Sequence, residues 1–161
     1  MFECTFTLNS QPMSLIKGLG FQYPAYSGFP AYRNKPTWQC IPYFGAIPVG
    51  RYAIVDKESG GLKSKIKDAI KSVTSGSNHF EWFALYALDS HVDDELFCAG
   101  VRRGEFRIHA AGYFGRSEGC ITLPNPTDFH MLRSRILVHK NTAIPGASIT
   151  GYGVLDVKQT F

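Results

Sequence analysis

The chain has 161 residues, 44% of them hydrophobic and 14% aromatic, with 16 glycines and 9 prolines, enough for one domain with its own core and unlike a disordered chain. Its formal charge of +4 is mild and its basic residues form no dense block, which argues against nucleic acid as the partner. The opening MFECTFTLNSQPM lacks the basic and apolar regions of a signal peptide, and no run approaches the ~18 apolar residues of a membrane span.

Glu3 to Leu8 alternates and reads as a strand. Met13 to Phe21 reads as a second strand followed by a turn at Gly18 and Gly20. Tyr23 to Pro48 is rich in Pro, Gly and aromatics and reads as irregular, with Ser27-Gly28 and Asn34 as turn formers. Ile47 to Asp56 is a turn feeding a strand. After Gly60-Gly61, the residues Leu62, Ile66, Ala69, Ile70 and Val73 recur at helical spacing, with Lys63, Lys65, Lys67 and Lys71 outside. His79 to Leu88 is aromatic and apolar, a core strand. Asp89 to Glu95 reads as a solvated acidic loop. Phe106 to His109 is a short strand leading into a Gly-rich loop. Asn125 before Pro126, with Asp128 in the first turn, signals a helix start, and Phe129, Leu132 and Ile136 give it an apolar stripe to about Val138. Tyr152 to Val157 alternates and closes the sheet. The sum is a single β-rich α+β domain, residues 1–161, with two helices.

The chemistry concentrates between Arg107 and Ile121. His109 ends a strand, and Cys120 follows a short loop in Ser117-Glu118-Gly119-Cys120-Ile121. A thiol needs a base to become a nucleophile near neutral pH, and imidazole is the usual one. Gly119 lets the backbone turn sharply, and the amides around Gly119 and Cys120 are candidates for an oxyanion site. Ser117 is positioned to hold the loop. Arg116 and Arg107 add positive potential that favours a thiolate and attracts a carboxylate substrate. No Asp or Asn is evidently placed to orient His109; a backbone carbonyl could do it, and the sequence leaves the orienting group open. The cysteines at 4, 40, 98 and 120 form no C-x-x-C pair, so a zinc ribbon or thioredoxin motif is not expected. With Cys120 kept as a thiol, one bridge among the other three is open, and so is the alternative of buried thiols. Neither a metal nor a cofactor is expected.

His109-x-x-Gly112 followed by Ser117-x-Gly119-Cys120 resembles the catalytic motif of L,D-transpeptidases, with Glu118 where that family usually has His. Ile47-Pro48-x-Gly50-x-Tyr52 is similar to the start of a strand in that fold. Arg107-x-His109, the short loop, Ser117-x-Gly119-Cys120-Ile121, Tyr26-Ser27-Gly28, Asn34 and Gly45 to Asp56 together look like the branch of type VI secretion effectors with an L,D-transpeptidase-like fold. The resemblance runs over roughly residues 21–157. It implies a mixed β-sheet or sandwich with two helices and Cys120 and His109 as the catalytic pair. Gly119 and Ser117 would support the oxyanion loop, and Arg116, Arg107 and Gly112 would line the substrate site. It further implies a toxin made without a signal peptide, exported by the type VI machinery, and acting on peptidoglycan stem peptides in a rival's periplasm as L,D-carboxypeptidase and transpeptidase. A cognate immunity protein would protect the producer; neither nucleic acid nor membrane insertion is expected. Two alternatives stand beside this: an enzyme that remodels its own cell's wall, and a non-enzymatic β-rich protein in which His109 and Cys120 are structural or join His79, His91 and Cys98 around a metal.

Overall fold

Strict alternation builds the first strand. β1 (Phe2–Leu8) buries Phe2, Cys4, Phe6 and Leu8 and turns the residues between them away. The computed structural model of the protein describes residues 1–57, 81–112 and 119–160. The other strands are β2 (Ser14–Gly18), β3 (Phe21–Ser27), β4 (Gly50–Asp56), β5 (Phe83–Ala87), β6 (Glu95–Cys98), β7 (Val101–Gly104), β8 (Arg107–Ala110), β9 (Ile121–Leu123), β10 (Thr142–Ala143), β11 (Thr150–Gly151) and β12 (Gly153–Gln159). Eight of them close into a barrel in the order β1-β12-β4-β5-β8-β9-β3-β2. β1/β12 and β8/β9 pair in parallel, and the remaining barrel pairs are antiparallel.

The expectation of a β-rich α+β chain holds, and the expectation of a sandwich is corrected. β1 accepts β12 on one side and β2 on the other, so the ring has no open edge, whereas a sandwich would leave edges on each sheet. Among the described residues there is one α-helix, α1 (Pro126–Leu137), where two were expected. The other expected helix, from Leu62 to Val73, lies outside the described residues.

Helix α1 forms where the sequence signals it. The Asn125 side chain accepts a hydrogen bond from the Thr127 N–H, Pro126 opens the first turn, and Asp128 sits at the positive end of the helix. Phe129, Leu132 and Ile136 bury one stripe into the cluster formed by the barrel's inward residues, among them Phe6, Ile54, Leu85, Ile108, Ile121 and Leu155. A smaller cluster lies on the opposite face of β4, β5 and β12, where Ala53, Val55, Ala84 and Val154 pack under Ile144. No helix among the described residues is long and apolar enough to cross a membrane.

Two further readings need correction. The stretch from Tyr23 is not irregular throughout, because Phe21–Ser27 is β3. Pro24 is tolerated there because β9 pairs only with Tyr26 and Ser27, which leaves Pro24 a neighbouring strand on one side alone. The β6–β7 hairpin was not foreseen. Its turn, Ala99-Gly100, has φ of 48° and 78°, the double positive φ of a two-residue hairpin turn, and an alanine at the first position hides that signal.

Cys40 and Cys98 form a disulfide that ties the segment after β3 to the end of β6, across 58 residues of sequence. Cys4 is buried in the barrel, and burial pushes its thiol far above the ordinary range, so it is inert.

Candidate active site

The period of two in β8 and β9 sorts their side chains onto two faces. Ile108 and Ile121 are register partners and both point into the core, as does Leu123. The alternate positions therefore share the outer face: His109, its register partner Thr122, and Cys120, which lies two residues before Thr122. Extending the register by one residue sets Cys120 beside Arg107. The parallel β8–β9 pair thus sets the cysteine on the face that carries the histidine.

The outer row continues across the sheet. Because β5 and β8 pair with Phe83 opposite Ile108, the next position brings Trp82 opposite His109. The two rings stack with centroids 4.2 Å apart and planes 20° off parallel. Lys57 sits over the other ring system of the row, its ammonium 5.6 Å from the Trp82 centroid. On the far side Tyr26 is the register partner of Thr122, with the Arg33 guanidinium 3.7 Å above its ring.

His109 is buried, and its Nδ1 lies 2.7 Å from the Ala110 carbonyl oxygen. A carbonyl can only accept, so this contact assigns the proton of the neutral ring to Nδ1 and leaves the lone pair on Nε2. Burial pulls the imidazole down from its ordinary 6.5 to about 4, against the opposing effect of the Ala110 hydrogen bond. At neutral pH the ring is therefore uncharged and able to take a proton. The orienting group is a backbone carbonyl, a point the sequence left open.

Cys120 is half-buried, with Sγ 3.8 Å from the Glu105 carbonyl, a weak S–H donation. Gly119 has φ of +94°, and a Cβ there would fall 2.6 Å from Arg103 Nη2 and 2.9 Å from Phe106 Cε1. Both the backbone angle and the lack of room demand glycine immediately before the cysteine. The Gly119 carbonyl is held by Ser27, whose hydroxyl donates to it at 3.1 Å and accepts from the Ile47 N–H at 2.8 Å. Ser27 is in turn fixed by Asn34, which accepts from the Ser27 N–H at 2.9 Å, donates its own N–H to the Ser27 carbonyl, and donates its side-chain amide to Gln11. Ser27 and Asn34 are fully buried. They are matched positions of the resemblance, read from sequence only as turn formers, and here they fasten the segment carrying the cysteine.

Arg107 makes a two-pronged ion pair with Asp94, at 2.7 and 2.6 Å, and Asp94 also accepts the Glu105 N–H through its carbonyl. The acidic stretch is thus not merely solvated: Asp94 neutralises Arg107, while Asp89 and Asp93 each accept a backbone N–H two residues on. Gly112 lies just beyond β8. Ser117 and Arg116 lie outside the described residues, as does His79. Cys98 is committed to the disulfide, which removes it from the metal set considered with His79 and His91. Two surface hollows, one against Gln22 and Arg135 and one against Tyr86 and Asn141, do not include Cys120 or His109.

Sequence reasoning did not find Trp82, Asp94, Thr122 or Arg103. Trp82, Asp94 and Arg103 lie outside the motif and become visible only once strand pairing is known; Thr122 lies in the stretch that follows the cysteine, but its place beside His109 depends on the β8–β9 register. Thr122 is notable in that its hydroxyl is fully buried beside His109 and makes no hydrogen bond.

A family model described as the Tlde1 domain matches residues 22–147, more than half of the chain. Neither the curated proteins nor the solved structures compared with the chain gave a match.

Proposed function

The chain belongs to the Tlde1 family of type VI secretion effectors, and from that premise we propose that it is a cysteine enzyme acting on the peptide stems of peptidoglycan in the periplasm of a target cell. The barrel is read as an L,D-transpeptidase-like catalytic domain. The observation that carries this reading is the shared outer face of His109 and Cys120 across the parallel β8–β9 pair.

The Cys120 thiol gives its proton to His109 Nε2 as sulfur attacks the carbonyl of the third stem residue, diaminopimelate, in a tetrapeptide. Amides near Gly119 and Cys120 stabilise the tetrahedral oxyanion. The bond to D-alanine nitrogen then breaks, and the proton on His109 passes to the departing amine. A thioester on Cys120 remains. Water, losing a proton to His109, attacks that thioester, and the thiol recovers its proton. The net hydrolysis converts tetrapeptide and water to tripeptide and D-alanine. A free D-amino acid in place of water gives exchange, and a second stem amine gives a crosslink. Burial of His109 makes a neutral imidazole the resting state, so the base is ready before substrate arrives.

The Cys40–Cys98 disulfide suits an oxidising compartment and so supports action in the periplasm. Stems shortened or exchanged in this way are lost to ordinary crosslinking, which accounts for toxicity, and a cognate immunity protein would protect the producer. Mass spectrometry of purified tetrapeptide muropeptides tests the reading. The native protein is expected to release D-alanine and leave tripeptide, and Cys120→Ala to leave the substrate intact. Equal conversion by both proteins would refute the nucleophile assignment, and no conversion by either would refute the substrate.

A further inference from the structure

Behind Gly119 lies a buried cation that the motif does not contain. Arg103, on β7, is only 4% exposed. Its Nη1 donates to the Gln39 carbonyl and, at 3.2 Å, to the Ala46 carbonyl, and its Nη2 donates to the Gly45 carbonyl at 3.0 Å. The guanidinium also lies 5.2 Å from the Phe106 ring centroid and packs directly against Gly119, which is why no side chain fits there. Carbonyls satisfy its hydrogen bonds but carry no net charge. Among the described residues no carboxylate is within ion-pair range of it. A buried cation of this kind calls for a counter-charge nearby.

We propose that Arg103 is a positioning residue for the nucleophile: a guanidinium clamped by three backbone carbonyls behind Gly119, whose fixed charge stabilises the Cys120 thiolate. Among the described residues Arg107 is the other arginine near the sulfur, and its charge is already matched by Asp94 at 2.6 and 2.7 Å. Burial pulls the Arg103 guanidinium below its ordinary value, while Tyr52 and Cys120 act on it in the opposite direction. Among the described residues the charged and titratable groups around Cys120 are Arg103 from β7, Arg107 with Asp94, and His109 from β8, together with Glu105, whose carbonyl accepts from the sulfur only while the thiol keeps its proton, and Tyr52 behind Arg103. Arg116 and Glu118 lie outside the described residues. The fixed cation lowers the cost of separating the proton from the sulfur, so a neutral imidazole suffices as base: His109 takes the proton that Cys120 loses and gives it to the leaving amine.

The inference rests on Cys120 being the nucleophile, and its test reads the thiol without substrate. Cys4 is buried and Cys40 and Cys98 are bridged, so iodoacetamide labelling mapped by peptide mass reports on Cys120. The native thiol is expected to label rapidly at pH 6–7. Arg103→Met should slow labelling at pH 7 at least about tenfold and move the pH profile upward, and Arg103→Lys should hold most of the native profile. A folded Arg103→Met protein whose profile overlays the native one overturns the role of Arg103 alone. An ordinary thiol profile in the native protein overturns the thiolate itself, whatever muropeptide conversion shows. If Arg103→Met does not fold, the melting temperatures of native and Cys120→Ala proteins across pH decide. A thiolate stabilised in the fold loses its proton before the unfolded thiol does, so native stability should gain on Cys120→Ala as pH rises to about 8.5 and then level off. A difference flat with pH contradicts the proposal.

Discussion

Replacing both Cys40 and Cys98 by serine should lower the melting temperature by roughly 8–16 °C, given about 2–4 °C per kcal/mol for a chain of this size. The bridge closes a loop across a sequence separation of 58 residues. On the chain-entropy account, opening a loop of that length restores freedom to the unfolded state worth about 4 kcal/mol at 25 °C. The native contacts give no reason for a smaller effect. Cys40 lies beside Gln39 and a few residues before Gly45 and Ala46, whose carbonyls hold Arg103, so the bridge ties down the segment that cradles a buried charge. The double substitution avoids leaving a lone thiol able to form a wrong bridge. Thermal and urea melts of the variant beside the oxidised native protein, with thiol counting to verify the bridge, give the measurement. A variant melting within about 3 °C of native would refute the reasoning, because it would mean the unfolded chain is already constrained there.

Three further outcomes follow from named groups. His109 is held near pKa 4 in the fold against 6.5 when free, so the unfolded chain binds the proton more readily. Its contribution to stability is whole above about pH 6.5 and falls by about 3 kcal/mol as pH drops to 4, a slope that His109→Gln should remove in paired urea melts. Thr122→Val deletes a buried hydroxyl with no partner, so stability should hold or rise by up to about 1 kcal/mol, and a loss above about 2 kcal/mol would mean the hydroxyl is bonded after all. Asp94→Asn should cost roughly 1–2 kcal/mol, because it leaves the mostly buried Arg107 without its counter-charge while Asp94 itself is partly exposed; high salt should change that loss little.

Much of the scaffold is legible in the residues because it obeys a simple period. The alternation of Glu3 to Leu8, the apolar run ending at Leu88, the turn before Gly50 and the Asn125-Pro126 cap are local signals, and each element forms near its expected bounds. The catalytic candidates are legible for another reason: a thiol, an imidazole and tight glycine turns rarely fall within a dozen residues without cause. What the chain does not reveal locally is pairing. Barrel closure depends on β1 lying between β12 and β2, partners from the two ends of the sequence. Trp82 reaches His109 only through the β5–β8 register, and Ser27 reaches Gly119 across 92 residues. Arg103 sits in a hairpin whose Ala99-Gly100 turn has no sequence signature, and three of its acceptors are main-chain carbonyls, which any residues could supply.

The most direct measurement is rapid acid quenching of the protein with tetrapeptide muropeptide, followed by intact-mass and peptide mapping. The account predicts a tripeptide acyl group in thioester linkage on the peptide containing Cys120, absent in Cys120→Ala and accumulating far more slowly in His109→Gln. Turnover of the muropeptide with no adduct on Cys120 at any quench time, or an adduct on another residue, would contradict it.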